Sequence, residues 1–582
     1  MQAVQGRYYS ELSETNRMRV VPIRAPRGLI YDRSGNLLIN NVPGFNLYLV
    51  LEDMPSDQRE AVIRQLAAYL GISFEEITRR IPQHYDLYAP IKIKEDLTFR
   101  EVAMIEAHRL ELPGVKIEPE VKRNAIYGTL AAHLLGYVGE IFSSQLESEA
   151  FPGLKQGEIV GQYGVEKSFD AQIRGVRGQK SIEVDALGHE VRVVKTVEPT
   201  PGNDLYLTLD LEVQKASEQA LGPQAGAIVA VDPNNGELLA MASHPAFDPN
   251  LLLSRMSVSD WENLIKDPGH PLNNRVIQGQ YPPGSTFKIV MAAAGLETKT
   301  VSLDDPVFCR GGMPFGNRVF RDWKRGGHGW VSLHRAVVES CDVYFYDLGN
   351  RLGIDTIASF SRLFGLGTPT GIDLSSEKSG LIPSTEWKAK TRGERWYPGE
   401  TLSVSIGQSY VTVTPMQLAS MVSAATTGLH YRPQILREIR ESTTGRVEPS
   451  PASEGRSLSV SKRTLEAIRA ALAGVVADPH GTGAAARSKL VSIGGKTGTA
   501  QVISDRPGLQ KEDHQEDHAW FVSFAPVDKP KIVVVVLVEH GGHGGAAAAP
   551  LAKQVIEAYM NRTQPQTTAP QTADLGTAQG PT

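Results

Sequence analysis

The chain of 582 residues is too long to fold around a single core, so it holds two or more domains. Its apolar and charged fractions, 41% and 21%, are those of ordinary soluble globular protein. A net charge of −5 without any dense Lys/Arg block argues against a nucleic-acid binder and names no partner.

The opening, Met1 to Tyr9, is polar and lacks the charged-then-apolar leader of a signal peptide. From Arg19 to Val50, short β-like runs are separated by Pro-Arg-Gly and Ser-Gly-Asn turns. Residues 56–81 and 95–110 carry helical periodicity with charged outer faces, which predicts an α+β module of its own. It shows no catalytic constellation and reads as a spacer or docking unit. Glycines between Gly153 and Gly188 punctuate loops; no strand-to-helix frame makes them a phosphate loop. Near Pro199-Thr-Pro-Gly-Asn the texture changes, which predicts a domain boundary at about residue 200. The stretch Ala227 to Ala242 then reads as a hairpin of two buried strands around Asn234-Asn-Gly.

The second domain is organised around Tyr281-Pro-Pro-Gly-Ser285-Thr-Phe-Lys288, where two prolines and a glycine end one run and an apolar helix is expected to begin. On that helix Ser285 and Lys288 share a face, and the N-terminal N–H groups favour negative charge at the Ser285 oxygen. A chain this long should hold about two Ser-x-x-Lys matches by chance. Two others occur, at Ser375 and Ser459, neither on an apolar helix. Further on, Glu339-Ser340-Cys341-Asp342 offers a second hydroxyl, and Gly495-Lys496-Thr497-Gly498-Thr499 opens a stretch of β character. There glycine lets an acyl donor's backbone lie alongside the strand while the lysine and hydroxyls hold a carboxylate.

The only two cysteines, Cys309 and Cys341, stand with Asp322 and His328 within about thirty residues, a set of good Zn ligands without zinc-finger spacing. A Cys309–Cys341 disulfide and a pair of buried free thiols are the competing readings. The chain closes with strand-like runs at Ala519–Ala525 and Ile532–Val538 and a helix from Ala548 to Met560. The second run is the longest wholly apolar stretch, far short of the roughly 18 residues of a membrane helix. After Asn561 the text is Thr, Gln, Pro, Ala and Gly, and the tail to Thr582 is expected to be disordered.

Ser-x-x-Lys, a second serine motif and Lys-Thr-Gly, in that order, resemble the signature of penicillin-binding proteins and serine β-lactamases. The segments Arg24-Ala-Pro-Arg-Gly, Tyr163-Gly-Val-Glu-Lys, Gly407-Gln-Ser-Tyr, Thr414-Pro-Met-Gln and His518-Ala-Trp-Phe are similar to class B penicillin-binding proteins, and Arg321-Asp-Trp-Lys-Arg-Gly-Gly-His to their elongation branch, over roughly residues 7–560. The resemblance implies a multidomain α+β chain: an N-terminal pedestal (dimerisation-type) domain, 1–200, and a transpeptidase domain, 201–560, with a five-stranded antiparallel sheet flanked by helices. It implies a peptidoglycan D,D-transpeptidase of cell elongation, acylated by β-lactams, with Ser285 as nucleophile, buried Lys288 as general base and Ser340 as proton relay. The N–H groups of Ser285 and Thr499 would form the oxyanion hole; Asp342, Lys496, Thr497, Gly498 and Thr499 would line the substrate.

Two departures stand out. Asp342 occupies a position where Asn is commoner, so it offers no amide donors and is expected to orient neighbours instead. Ser409 stands where Gly is usual, which puts tight backbone approach there in question. Some elongation-branch relatives carry a structural zinc on Asp, Asp, His and Cys ligands, and Cys309 here aligns with one of those Asp residues. The resemblance further implies a SEDS-type glycosyltransferase and an elongation scaffold as partners. It also implies an inner-membrane anchor before residue 1 with the catalytic domain in the periplasm. A serine β-lactamase, or a non-catalytic β-lactam sensor or scaffold, is the alternative; the long N-terminal module and the absence of a Glu-x-x-Leu-Asn stretch weigh against the former, and intact Ser285, Lys288 and Lys496 against the latter.

Overall fold

The computed structural model describes residues 18–82, 90–148, 151–184, 190–252, 258–502 and 515–563. The first 17 residues and the C-terminal segment from 564, where most of the expected disordered tail falls, lie outside them.

The N-terminal module is built on strand β1 (Leu37–Leu49), flanked at its C-terminal end by β2 (Ile91–Lys94) and from Ile39 to Leu49 by β3 (Val115–Ala125). Strand β1 runs straight through Pro43-Gly44, where only β3 pairs with it, so a residue without an N–H is tolerated. Helices α1 (Arg59–Leu70) and α2 (Phe99–Ala107) form as the periodicity predicts. Helix α1 buries Val62, Ile63, Leu66 and Leu70 on one face and ends at Gly71, which takes the left-handed conformation of a helix stop. A Thr98–Glu101 capping box starts α2. Together they close a separate core around Leu47, Leu49, Leu66 and Ile93.

Two stretches singled out in the sequence meet at the base of this module. The Arg27 guanidinium bridges Glu166 (2.7 Å) and Asp170 (2.8 Å), and Arg123 takes the other Glu166 oxygen at 2.6 Å. Glu166 is fully buried, and burial alone would favour its neutral form. The two guanidiniums override that and hold its carboxyl below the usual carboxylate range.

The second half is layered about one five-stranded antiparallel sheet: β4 (Gly226–Val231), β5 (Leu238–His244), β6 (Gly494–Ala500), β7 (His518–Ala525) and β8 (Ile532–Val538), in the order β5-β4-β8-β7-β6. Strand β8 is buried throughout because both faces are covered. Val533, Val535 and Leu537 join the core that contains helix α6 (Pro415–Thr427); Val534 and Val536 join the one that contains α3 (Leu211–Leu221) and α7 (Ala549–Thr563). Helices α4 (Lys288–Glu297) and α5 (Asp342–Leu352) lie on the α6 side.

A ladder of strands crosses residue 200. Ile30–Tyr31 pairs in parallel with Asp204–Leu207, which pairs antiparallel with Leu436–Arg440. Tyr31 stacks on Tyr206 at 4.7 Å, with the Arg440 guanidinium 4.3 Å from the centre of the Tyr206 ring.

Candidate active site

The expected helix does not begin at Ser285. Pro282, Pro283 and Gly284 lead into a tight 3-10 turn, Gly284–Phe287, and the α-helix α4 starts at Lys288. Gly284 has φ +54° and packs so closely on strand β6 that a Cβ would come within 2.5 Å of the Thr499 carbonyl oxygen. The turn is thus pressed against the edge strand of the sheet. Trp520 on β7 clamps its approach from beneath, its indole N–H donating to the Pro282 carbonyl at 3.0 Å. Tyr281 donates to Glu539 at 2.5 Å, and Arg275 pairs with the same carboxylate at 3.0 Å. Ser285 is half-buried, and among the described residues its hydroxyl makes no hydrogen bond.

Behind it lie two buried amines and one hydroxyl. The Lys288 amine donates to the Ser340 carbonyl (2.9 Å), to the Ser340 hydroxyl (3.2 Å) and to Asp342 Oδ1 (2.6 Å). The Lys496 amine donates to the same Ser340 hydroxyl at 2.9 Å. With two ammonium-type donors on its oxygen, the Ser340 hydroxyl has its own hydrogen left to give outward. Ser340 sits at φ +56°, a strained backbone for serine, immediately before α5. Lys496 is completely buried, and its amine is pushed well below the usual lysine range by burial first and then by the neighbouring Lys288, against the pull of Asp342.

Strand β6 carries Lys496, Thr497, Gly498 and Thr499 and, among the described residues, pairs with β7 alone, so its other edge faces the Ser285 turn. An edge strand with small residues is a template along which an extended peptide can hydrogen-bond. Thr497 shares a hydrogen bond with Thr482 (2.7 Å), and Gln408 donates to the Thr499 carbonyl at 2.9 Å. Ser409 adopts φ +69°, so this loop keeps the left-handed bend despite carrying a side chain there.

Asp342 is engaged on both oxygens, one by Lys288 and the other by the Trp323 backbone N–H at 3.2 Å. Beside it, Cys309, Asp322, His328 and Cys341 are all buried, and their ligand atoms lie within 4.8 Å of one another. Cys309 Sγ is 3.4 Å from Asp322 Oδ2 and 3.5 Å from His328 Nδ1, and Cys341 Sγ is 3.4 Å from Asp322 Oδ2. A tetrahedral site with bonds of about 2.0–2.3 Å has edges of about 3.3–3.8 Å, so the donor set fits such an ion. The cysteines are free thiols, not a disulfide. Burial and then the Asp322 charge push the Cys341 thiol up, a conflict that a bound cation would remove. Burial also opposes the charge on Asp322, but hydrogen bonds from His328 and from the Lys324 and Val343 N–H groups hold its carboxyl below the usual range. His328 Nε2 is buried with no hydrogen-bond partner among the described residues; the Glu339 carboxylate is 4.0 Å away.

All twelve residues singled out in the sequence fall in these two adjoining groups. Trp323, Gln408, Thr482, Trp520 and Glu539 complete them without having been singled out. Four lie inside or next to stretches already singled out, Glu539 directly after the Ile532–Val538 run; Thr482 carried no signal at all.

This arrangement meets a family. Residues 226–557 match the model for the penicillin-binding protein transpeptidase domain, and residues 22–207 match that for the penicillin-binding protein dimerisation domain. The peptidoglycan D,D-transpeptidase MrdA of Acinetobacter baumannii is 40% identical over 566 residues, 95% of this chain and 83% of the relative. Among solved structures, penicillin-binding protein PBP2 of Helicobacter pylori in complex with MreC superposes with a TM-score of 0.81 at 29% identity, over 93% of this chain and 98% of that one. A chain from a peptidoglycan synthase complex, in a study of how polymerization and crosslinking are coordinated, gives 0.72 at 32% identity, covering 95% and 93%. The chain belongs to the penicillin-binding proteins that join a dimerisation domain to a transpeptidase domain, in the branch of penicillin-binding protein 2.

Proposed function

We propose that the chain is a serine D,D-transpeptidase that cross-links peptidoglycan stem peptides during cell elongation and is acylated by β-lactams. One observation carries this reading: a single hydroxyl, Ser340, accepts from both Lys288 (3.2 Å) and Lys496 (2.9 Å) behind the Ser285 turn. Ser285 Oγ attacks the penultimate D-Ala carbonyl carbon, and its proton passes to Lys288 once that amine has yielded a proton within the Asp342–Ser340 network. The oxyanion that forms lies toward the N–H groups of Ser285 and Thr499. As the C–N bond breaks, the Ser340 hydroxyl gives its outward hydrogen to the departing D-Ala amine and is recharged from a lysine. An amine of a neighbouring stem then attacks the ester and restores Ser285. Lys496, Thr497 and Thr499 hold the terminal carboxylate along β6, beside Gly498, and Asp342 positions Lys288.

The thiolate, imidazole and carboxylate set at Cys309, Asp322, His328 and Cys341 is suited to a structural zinc ion, which would pin the second serine motif and takes no part in the acyl transfer. The names of the similar complexes support a scaffold of the MreC kind and a glycan polymerase as partners. Among the described residues no helix is long and apolar enough to cross a membrane; a separate anchor with a periplasmic catalytic domain agrees with these partners. We place the domains at 1–200, 201–560 and a tail from 561.

Incubation with labelled penicillin tests the reading. The expected result is a stable one-to-one adduct, lost in Ser285→Ala. Rapid hydrolysis would instead make the chain a β-lactamase, and no adduct a scaffold.

A further inference from the structure

Thr482 lies in no recognised segment, yet it meets two of the three motifs. Its hydroxyl shares a hydrogen bond of 2.7 Å with that of Thr497, and its backbone N–H donates at 3.4 Å to the Val338 carbonyl, two residues before Ser340. Thr497 is buried, whereas Thr482 is half-buried. The loop that carries Thr482 leaves the helix Lys462–Ala477 and is fixed from several sides. The Gly483 N–H returns to the Val475 carbonyl at 2.9 Å and the Gly481 N–H to that of Asp478 at 3.0 Å. Arg487 reaches back over the helix end and donates to the Val476 (2.7 Å) and Asp478 (2.9 Å) carbonyls, groups that the helix itself leaves without partners. Backbone crowds the loop as well: a Cβ on Gly481 would come within 2.3 Å of the Val475 carbonyl oxygen, and one on Gly545 within 2.5 Å of that of Thr482. The Thr482 hydroxyl is therefore held against Thr497 by its surroundings and not by that one hydrogen bond.

Two hydroxyls at this separation place one hydrogen between them and leave the other hydrogen of the pair free. A carboxylate offers only lone pairs, so one lying against Thr497 takes the Thr497 hydrogen, and Thr482 must then be the donor within the pair. That order satisfies every group: Thr482 gives to Thr497, and Thr497 gives to the carboxylate. A hydroxyl that is itself receiving a hydrogen bond is the stronger donor, and it no longer turns its hydrogen back on a neighbour. We infer that Thr482 is a positioning residue for the terminal carboxylate of the acyl donor, acting through Thr497 by aiming and strengthening its hydroxyl. The inference rests on the transpeptidase reading, in which Thr497 holds that carboxylate, and extends the carboxylate site from strand β6 to the loop beside it. Through its N–H the same residue ties this loop to the segment that carries Ser340.

The test uses benzylpenicillin, whose carboxylate stands in for the terminal one, and its methyl ester, which keeps the ring but not the charge. Acylation rates at Ser285 are measured on the full chain and its variants. Thr482→Val preserves the shape and removes the hydroxyl; it should slow acylation by the acid on the order of fivefold and leave acylation by the ester unchanged. Thr482→Ser should restore the rate with the acid. In a Thr497→Val background, Thr482→Val should slow acylation by the acid no further, a comparison that needs the acid alone. An acid rate unmoved by Thr482→Val, an equal fall for acid and ester, or a further loss on top of Thr497→Val overturns the assignment, and the equal fall would make Thr482 a mere prop for the strand. No penicillin adduct on Ser285 in the unsubstituted chain would instead remove the transpeptidase reading on which the inference stands.

Discussion

Lys496 is a lysine closed off from solvent with a cation for a neighbour, and that has a cost as well as a use. An unfolded lysine keeps its proton to about pH 10.4, whereas the buried one gives it up earlier. Over that interval the unfolded chain binds more protons than the folded one, so stability should rise with pH. Lys496→Met should flatten the rise and make the protein more resistant to urea near neutral pH. It should also slow penicillin acylation by on the order of 10²-fold or more. Urea titrations at several pH values, with acylation rates alongside, check both. Equal or lower stability for the variant at neutral pH would show that the amine's hydrogen bonds to Ser340 and Thr497 outweigh its desolvation. His133 gives the complementary case. Burial first, and then the charge of Arg275, lowers its imidazole to about 4, while its Nε2 donates to the Pro271 carbonyl at 2.7 Å. As the pH falls from about 6.5 toward 4, the unfolded chain takes the proton first, and about 3 kcal/mol of stability is lost. His133→Gln should remove that acid sensitivity.

Single elements owe their positions to side chains from elsewhere in the chain. Helix α5, which follows Ser340, starts with its Asp342 and Val343 N–H groups on Asp322 Oδ2 at 2.8 and 3.2 Å, a carboxylate cap from another segment. The same Asp322 sits in the thiol and imidazole cluster, so the cap and the proposed ion are one device. Purified protein should contain close to one zinc per chain, most of it lost in Cys309→Ser. A strong chelator should lower the melting temperature by several degrees and slow, without abolishing, acylation at Ser285. Metal content of zero with full activity would reduce the cluster to buried thiols. At this scale the sequence was most informative where chemistry and local structure coincide: Ser285 with Lys288, and Lys496 to Thr499, are contiguous on a turn and a strand. Helix α4 starts three residues later than the sequence predicts because the left-handed Gly284 and its contact with Thr499 wind the first turn tightly. Trp323 and Thr482 were illegible because their roles come from packing between segments far apart, which no local period encodes.

Across the whole molecule, segments far apart in the chain are joined by buried ion pairs as well as by strands. Breaking a buried pair by removing one partner typically costs 3–5 kcal/mol, since the other charge is stranded. Glu166→Ala strands the Arg123 guanidinium and leaves Arg27 with Asp170 alone, and should destabilise the chain by about that amount, more than Glu166→Gln. Denaturant unfolding of the two variants measures it. The stretches containing Arg27 and Glu166 could be recognised in the sequence by resemblance, but their meeting could not, with 139 residues between them. Strands as short as Ile30–Tyr31 and Leu436–Arg440 leave no periodic trace either, so composition divides the chain at 200 where hydrogen bonding does not.

That ladder makes the two lobes poor candidates for separate lives. Asp204–Leu207 is stitched on one side to the N-terminal module and on the other to a strand more than two hundred residues downstream. A calorimeter should therefore record one main endotherm, not two, and a protease that nicks the backbone near Pro201 should leave the fragments travelling together until denaturant is added.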